Sequence, residues 1–205
     1  MAGRIYENAK ERILDAAERL LLQRGPNQLS VEALISEAGL SKGGFFHHFA
    51  TKDALLLALL ERLIERGMRQ IEEIAAKDPE PRGARLRAQI ALAFDMKGKD
   101  VDTSRALVLA FIEASGSSPA LAQRSRAMND TTFARDIDEG IPAGRAMLIQ
   151  FALDGFWLGE ALGSVSLTAA QKKVLRDSLL ALAQPEPSLK RTSKRTAMTK
   201  KGRSP

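Results

Sequence analysis

The chain has 205 residues, 44% of them hydrophobic, with no cysteine and a formal net charge of +6. That length can bury a sizeable core in one or two domains, and the lack of cysteine excludes disulfides and thiolate metal sites. It opens on no basic-then-apolar leader and holds no run of about 18 apolar residues, so a cytoplasmic protein without a membrane span is the default expectation. The charge is concentrated at one end. Lys190, Arg191, Lys194, Arg195, Lys200, Lys201 and Arg203 have no acid among them, which leaves residues 1–187 with a net charge of −1. The tail has almost nothing apolar to bury and reads as disordered. It is either simply solvated or a source of sequence-independent phosphate contacts.

Taken in order, Tyr6 to Arg24 places Ile13, Ala16, Ala17, Leu20 and Leu21 at helical spacing, which predicts an amphipathic helix ended by Gly25-Pro26. Leu29 returns the chain to the core, and Ser30 caps a short helix to Ala38 with Leu34 and Ala38 on one face. Gly39 supplies a bend, Leu40 turns inward, and Ser41 caps a third helix. That helix begins Lys42-Gly43-Gly44. Each glycine costs roughly 1 kcal/mol against alanine, so the pair implies that backbone must approach another surface. Phe45 and Phe49 anchor one side of the helix, while Phe46 and His47 turn away from it. The two short helices form a helix-turn-helix.

Thr51 caps a fourth helix that continues to about Ala76, long enough to link two parts of the molecule. Asp78-Pro79-Glu80-Pro81 breaks helix twice and is the best linker after residue 50. Further helices are expected from about Arg82 to Met96, Thr103 to Ser115 and Ala120 to Ile137, with loops over Lys97 to Asp102 and Gly116 to Pro119. Gly144 to Val165 is apolar nearly all round, which predicts a helix buried on most sides. Gly155, Gly159 and Gly163 recur in it every four residues, near Leu148, Ala152 and Leu162. Thr168 caps a last helix with Val174, Leu175, Leu179 and Leu182 as its stripe, and Pro185 and Pro187 end the fold. No segment alternates like a strand, so the class is all-α with about nine helices. The two closing helices suit either a monomer core or a dimer interface, with Leu148, Gly155, Gly159, Leu162, Leu175, Leu179 and Leu182 as its candidates.

Leu34-Ile35-Ser36-Glu37-Ala38-Gly39-Leu40-Ser41-Lys42-Gly43-Gly44-Phe45-Phe46-His47-His48-Phe49, closed by Thr51-Lys52-Asp53-Ala54-Leu55-Leu56, resembles the DNA-binding domain of the TetR family of bacterial transcriptional repressors. The match covers roughly the first quarter of the chain, with about a dozen positions in register. Phe46 stands where the family usually has Tyr, and Ile35 where a small residue is usual. The resemblance implies a DNA-binding domain over 1–50, a ligand-binding and dimerisation domain over 51–187, and the basic tail over 188–205. It also implies a homodimer on a palindromic double-stranded operator, a four-helix interface from the last two helices of each subunit, and release by a small-molecule effector. Carried over position by position, Ser30, Ser41, His47 and Lys52 contact phosphates, and His48 supports the structure by packing. The groove-facing candidates are Lys42, Gly43, Gly44, Phe46 and His47, with Lys42 suited to a guanine edge and Phe46 to a thymine methyl. The competing readings are an activator of the same fold and an architectural DNA-binding protein without a ligand.

Nothing points to catalysis. Adjacent His47 and His48 project about 100° apart on a helix, unlike ligands three or four residues apart. No glycine-rich phosphate loop, GxSxG elbow or cysteine nucleophile is present. No enzyme activity, metal or cofactor is expected. Asp136, Asp138 and Glu139 read as a polar loop, with a cationic ligand or metal as the alternative. Asp154 is sharper, because a carboxylate in the most apolar helix must be paired or protonated. It either makes a structural hydrogen bond or lines an effector pocket with Gln150 and Trp157.

Overall fold

The computed structural model describes residues 2–25, 29–96, 98–137 and 140–186, and among these every regular element is a helix. In chain order they are α1 (Ala2–Arg24), α2 (Val31–Ala38), α3 (Lys42–His48), α4 (Lys52–Ala75), α5 (Ala84–Asp95), α6 (Lys99–Ser117), α7 (Pro119–Ile137), α8 (Ala143–Leu162) and α9 (Ala169–Leu182). The basic tail and the Asp138-Glu139 pair lie outside the described residues.

The helix starts follow from side-chain capping of amide groups that have no partner within the helix. Ser30 Oγ accepts from Ala33 N, Ser41 Oγ from Gly44 N and Thr51 Oγ1 from Ala54 N, each at 3.1 Å. At α9, Thr168 and Gln171 cap each other reciprocally. Two expected loops are largely helical instead. Helix α6 starts at Lys99, with Asp100 and Asp102 in its first turn, where acids complement the helix dipole. The break between α6 and α7 narrows to Ser118, whose Oγ accepts from Leu121 N, with Pro119 in the first helical position that its ring favours.

Two buried clusters build the interior. The first takes Ile13, Leu14, Leu20 and Leu21 from α1, Leu34 from α2 and Phe45 from α3, then continues through Leu55 and Leu59 of α4 to Leu107 and Ala110 of α6. The core of the first fifty residues is therefore shared with the helices that follow. The second cluster joins Leu86 and Ile90 of α5, Ile149 and Leu153 of α8, and Leu179 of α9.

The Asp78–Pro81 stretch is a pinned turn rather than a loose linker, because α5 packs back against α4 and Arg87 gathers the turn's acceptors. Its Nε donates to Asp78 Oδ2 at 2.7 Å, and Nη1 donates to the carbonyls of Arg82 and Ala183 at 3.0 and 2.9 Å. The Arg87 bond, aided by the Glu80 amide, holds the Asp78 carboxyl below its ordinary range. Beside it, Gly83 has φ +75°, and a Cβ there would stand 2.6 Å from the Ala183 carbonyl oxygen and 2.8 Å from Ile141. Gly83→Ala should therefore lower stability by about 2 kcal/mol or more, since backbone strain adds to a clash with backbone. Thermal unfolding followed by circular dichroism checks this. An unchanged melting point would contradict the close packing of α5 against the end of α9.

Helix α8 departs from the expectation of burial on most sides. Ala146, Ile149, Leu153 and Phe156 face the interior, but Leu148, Phe151 and Leu162 are 62%, 65% and 54% exposed. The three glycines serve different ends. Gly155 meets open space, Gly159 lies under the side chain of Val165 in its own chain, and Gly163 ends the helix in a left-handed conformation.

Candidate functional site

The helix-turn-helix is assembled from α2 and α3 against α1. After Ala38, Gly39 adopts φ +62°, ψ +45°, a conformation that costs a side-chain-bearing residue energy. The Gly39 and Leu40 amides then donate back to Ser36 O and Ile35 O, so the turn consumes the free carbonyls of α2. Arg12 completes it from α1, its Nη2 donating to Ala38 O at 2.6 Å and Gly39 O at 3.2 Å. An Arg19–Glu37 pair at 2.8 Å braces the same two helices. Sequence reasoning missed Arg12, whose partners lie 26 and 27 residues away and are backbone atoms.

Phe45 is fully buried, while Phe46 is 42% exposed with its ring edge-to-face on Phe45. Ser30, Ser41, Lys42, Gly43, Phe46, His47 and Lys52 are all exposed, and Gly44 is half-buried. The two glycines differ. A Cβ on Gly44 would stand 3.3 Å from Ser41 Oγ and crowd the cap, whereas Gly43 has nothing within 4 Å and leaves its backbone open to an approaching surface. His48 is half-buried, and burial, then His47 and Lys10, hold its imidazole below the ordinary range. A neutral imidazole there suits packing better than phosphate binding. The capping hydroxyls of Ser30 and Ser41 use lone pairs as acceptors, so each keeps an O–H to donate outward.

The chain matches the profile of the bacterial regulatory proteins of the tetR family over residues 13–59, and that of the tetracyclin repressor-like C-terminal domain over residues 83–184. It belongs to the TetR family of bacterial transcriptional regulators. The two matched profiles are those of DNA-binding regulators of transcription. It is 36% identical over 90 residues to the HTH-type transcriptional regulator YerO of Bacillus subtilis, a match covering 42% of this chain and 30% of that one. The chain thus spans about a third of the length of that curated relative. Among solved structures, a putative transcriptional regulator from Pseudomonas aeruginosa PAO1 is 25% identical with a TM-score of 0.66, over 85% of this chain and 89% of that one. The multidrug binding protein EbrR complexed with ethidium is also 25% identical, TM-score 0.66, over 85% and 97%.

The candidates in the second half of the chain separate. Gln150 is buried and donates to Gln89 Oε1 at 2.6 Å. Trp157 packs against the second cluster beside Phe156. Asp154 is exposed on the outer side of α8, where partial burial nonetheless raises its carboxyl above the ordinary range. The three side chains therefore do not converge on one space. Of the interface candidates, Leu148, Gly155 and Leu162 lie open on α8, but Gly159 is covered by Val165. Leu179 is 3% exposed, and Leu175 and Leu182 pack on the second cluster of their own chain. The open side of α9 carries Val174 instead, 66% exposed. Met147, Phe151 and Leu158 are exposed apolar residues of α8 that sequence reasoning did not single out. The spacing 147, 151, 158, 162 marks one helical face, but the apolar residues around it masked the signal. Among the described residues no cluster of histidine, cysteine and carboxylates could hold a metal, and no helix is long and apolar enough to cross a membrane.

Proposed function

We propose that this regulator is a ligand-released repressor that binds a palindromic operator as a homodimer. The observation that carries the DNA-contact assignment is the outward face of α3, where Lys42, Gly43, Phe46 and His47 stand exposed between the capped starts of α2 and α4. Lys42 and Phe46 address base edges, with the open backbone at Gly43 allowing the helix to sit deep in the groove. Ser30, Ser41, His47 and Lys52 hold phosphates on either side, which sets the register of the helix. The exposed apolar strip of α8, joined by α9, is the surface that pairs two copies, and pairing spaces two recognition helices for successive major grooves. The ethidium complex of EbrR supports a ligand-responsive reading.

A sequence selected from random DNA and footprinted supplies the test. A repressor of this kind protects a defined palindrome, whereas an architectural protein protects a diffuse region. On that site, Lys52→Ala should weaken binding to all sequences alike and reduce the salt slope by about 1. Lys42→Ala should cost about 1–3 kcal/mol at one base position and relax the preference there. Unchanged binding in both variants removes α3 as the reading helix.

A further inference from the structure

We propose that the cleft where α1, α4 and α6 meet takes small organic cations with an apolar body, and that the cation acts by competing with Arg66 for Glu18. This rests on the ligand-responsive reading above and assigns it a place and a ligand class. The cleft has a volume of about 320 Å³ and is lined by Glu18 of α1, Leu63 and Arg66 of α4, Met96 after α5, and Asp100 and Ser104 of α6. That volume lies within the ordinary range for small-molecule sites.

The lining sets the sign of the ligand. Arg66 is already engaged, its Nη1 donating to both Glu18 oxygens at 2.9 and 3.1 Å. Asp100 is exposed and takes part in no ion pair among the described residues, so the uncompensated charge is negative. Leu63 and Met96 offer apolar and polarisable surface to the ligand body. Ser104, 9% exposed, adds a small polar side chain to the lining.

The lining also sets the consequence. Glu18 lies on α1, which belongs to the DNA-binding unit, and it is held by two arginines of α4, Arg66 and, at 3.6 Å, Arg62. Arg62 also binds Glu11 at 3.5 Å and Asp15. This ladder fixes the angle between α1 and α4. A cation drawn between Asp100 and Glu18 takes carboxylate charge from Arg66 and sets a second positive charge beside it, which loosens the ladder. By linkage, DNA that holds the intact ladder must weaken the cation by the factor by which the cation weakens DNA.

The full chain is titrated calorimetrically with tetraphenylphosphonium and, for comparison, the isosteric anion tetraphenylborate. The cation is expected to bind and the anion not. Asp100→Asn and Glu18→Gln should each weaken the cation about tenfold or more. Asp177→Asn, on the outer side of α9, controls for general loss of negative charge and should bind like the parent. The cation should also lower affinity for the selected operator, and saturating operator should lower affinity for the cation equally. No binding of the cation, equal binding of the anion, or full affinity in both Asp100→Asn and Glu18→Gln would overturn the site. Binding without any change in operator affinity would overturn the competition with Arg66. Failure of the ligand-free protein to select a palindrome is a separate result that refutes the repressor reading itself.

Discussion

Phe45→Ala is expected to lower the stability of the helix-turn-helix by about 3–5 kcal/mol, the range for removing a buried aromatic side chain, and to abolish operator binding. Phe45 is fully buried and is the one buried residue within α3. A seven-residue helix has little stability of its own, because nucleation consumes most of what so few hydrogen bonds return. Phe45, with Phe49 just past the helix end and rings 6.2 Å apart, therefore holds the recognition helix to α1 and α4. The outer residues lose their placement when that anchor goes, although none of them is altered. Trp157 packs on the second cluster, so its fluorescence reports a different part of the molecule. The expected pattern is loss of DNA binding and an earlier thermal transition, with Trp157 emission near that of the parent at low temperature. Parent-like melting and operator affinity would show that α3 is held by something other than this ring.

The parts legible in the sequence are those set by local chemistry. Ser30, Ser41, Thr51 and Thr168 each stand before an apolar-periodic run, and each accepts an amide hydrogen bond at a helix start. Gly39 and the two phenylalanines four apart are equally local. What escaped depends on atoms far along the chain. Arg12 reaches the turn carbonyls, and Arg62 and Arg66 meet Asp15 and Glu18 over separations of 47 and 48 residues. A charged residue on an amphipathic helix gives no sign in the sequence of whether it meets water or a carboxylate on another helix.

Helix α8 was legible only in part, for a different reason. Apolar residues all round a helix state that each side is to be removed from water, but not whether its own chain or a second copy does so. The structure divides them: Ile149, Leu153 and Phe156 are satisfied internally, and Leu148, Phe151 and Leu162 are not. Asp154 lies beside the open strip, so the helix face it shares with Phe151 and Leu158 looks outward in the single chain. The chemistry suited to a ligand gathers instead near α1, α4 and α6, where the sequence shows only scattered Glu, Arg, Ser and Met.

That open strip makes the dimer the most sensitive target for a single charge. Phe151 is 65% exposed at its centre, flanked by Leu148, Leu158 and Leu162 along α8, with Phe133 of α7 edge-to-face against it at 5.8 Å. An apolar patch of this kind marks a surface that is covered by another molecule, and a helix face pairs most simply with its own copy across a two-fold axis. Phe151→Glu would place two uncompensated carboxylates in such an interface, and one unpaired buried charge already costs about 3–5 kcal/mol. The dimer dissociation constant should therefore rise by at least about a thousandfold. Operator affinity should fall by about two orders of magnitude or more, since each subunit then binds its half-site without the other. Helicity should stay near that of the parent, because the altered side chain faces water in the single chain. Leu179→Ala is the counterpart. That residue is 3% exposed within its own subunit, so the change should cost about 2–5 kcal/mol of folding stability before it affects pairing. Sedimentation equilibrium and thermal melts on the two variants separate the effects. If Phe151→Glu remains a tight dimer, the subunits pair through some other surface and the α8 strip must have another occupant.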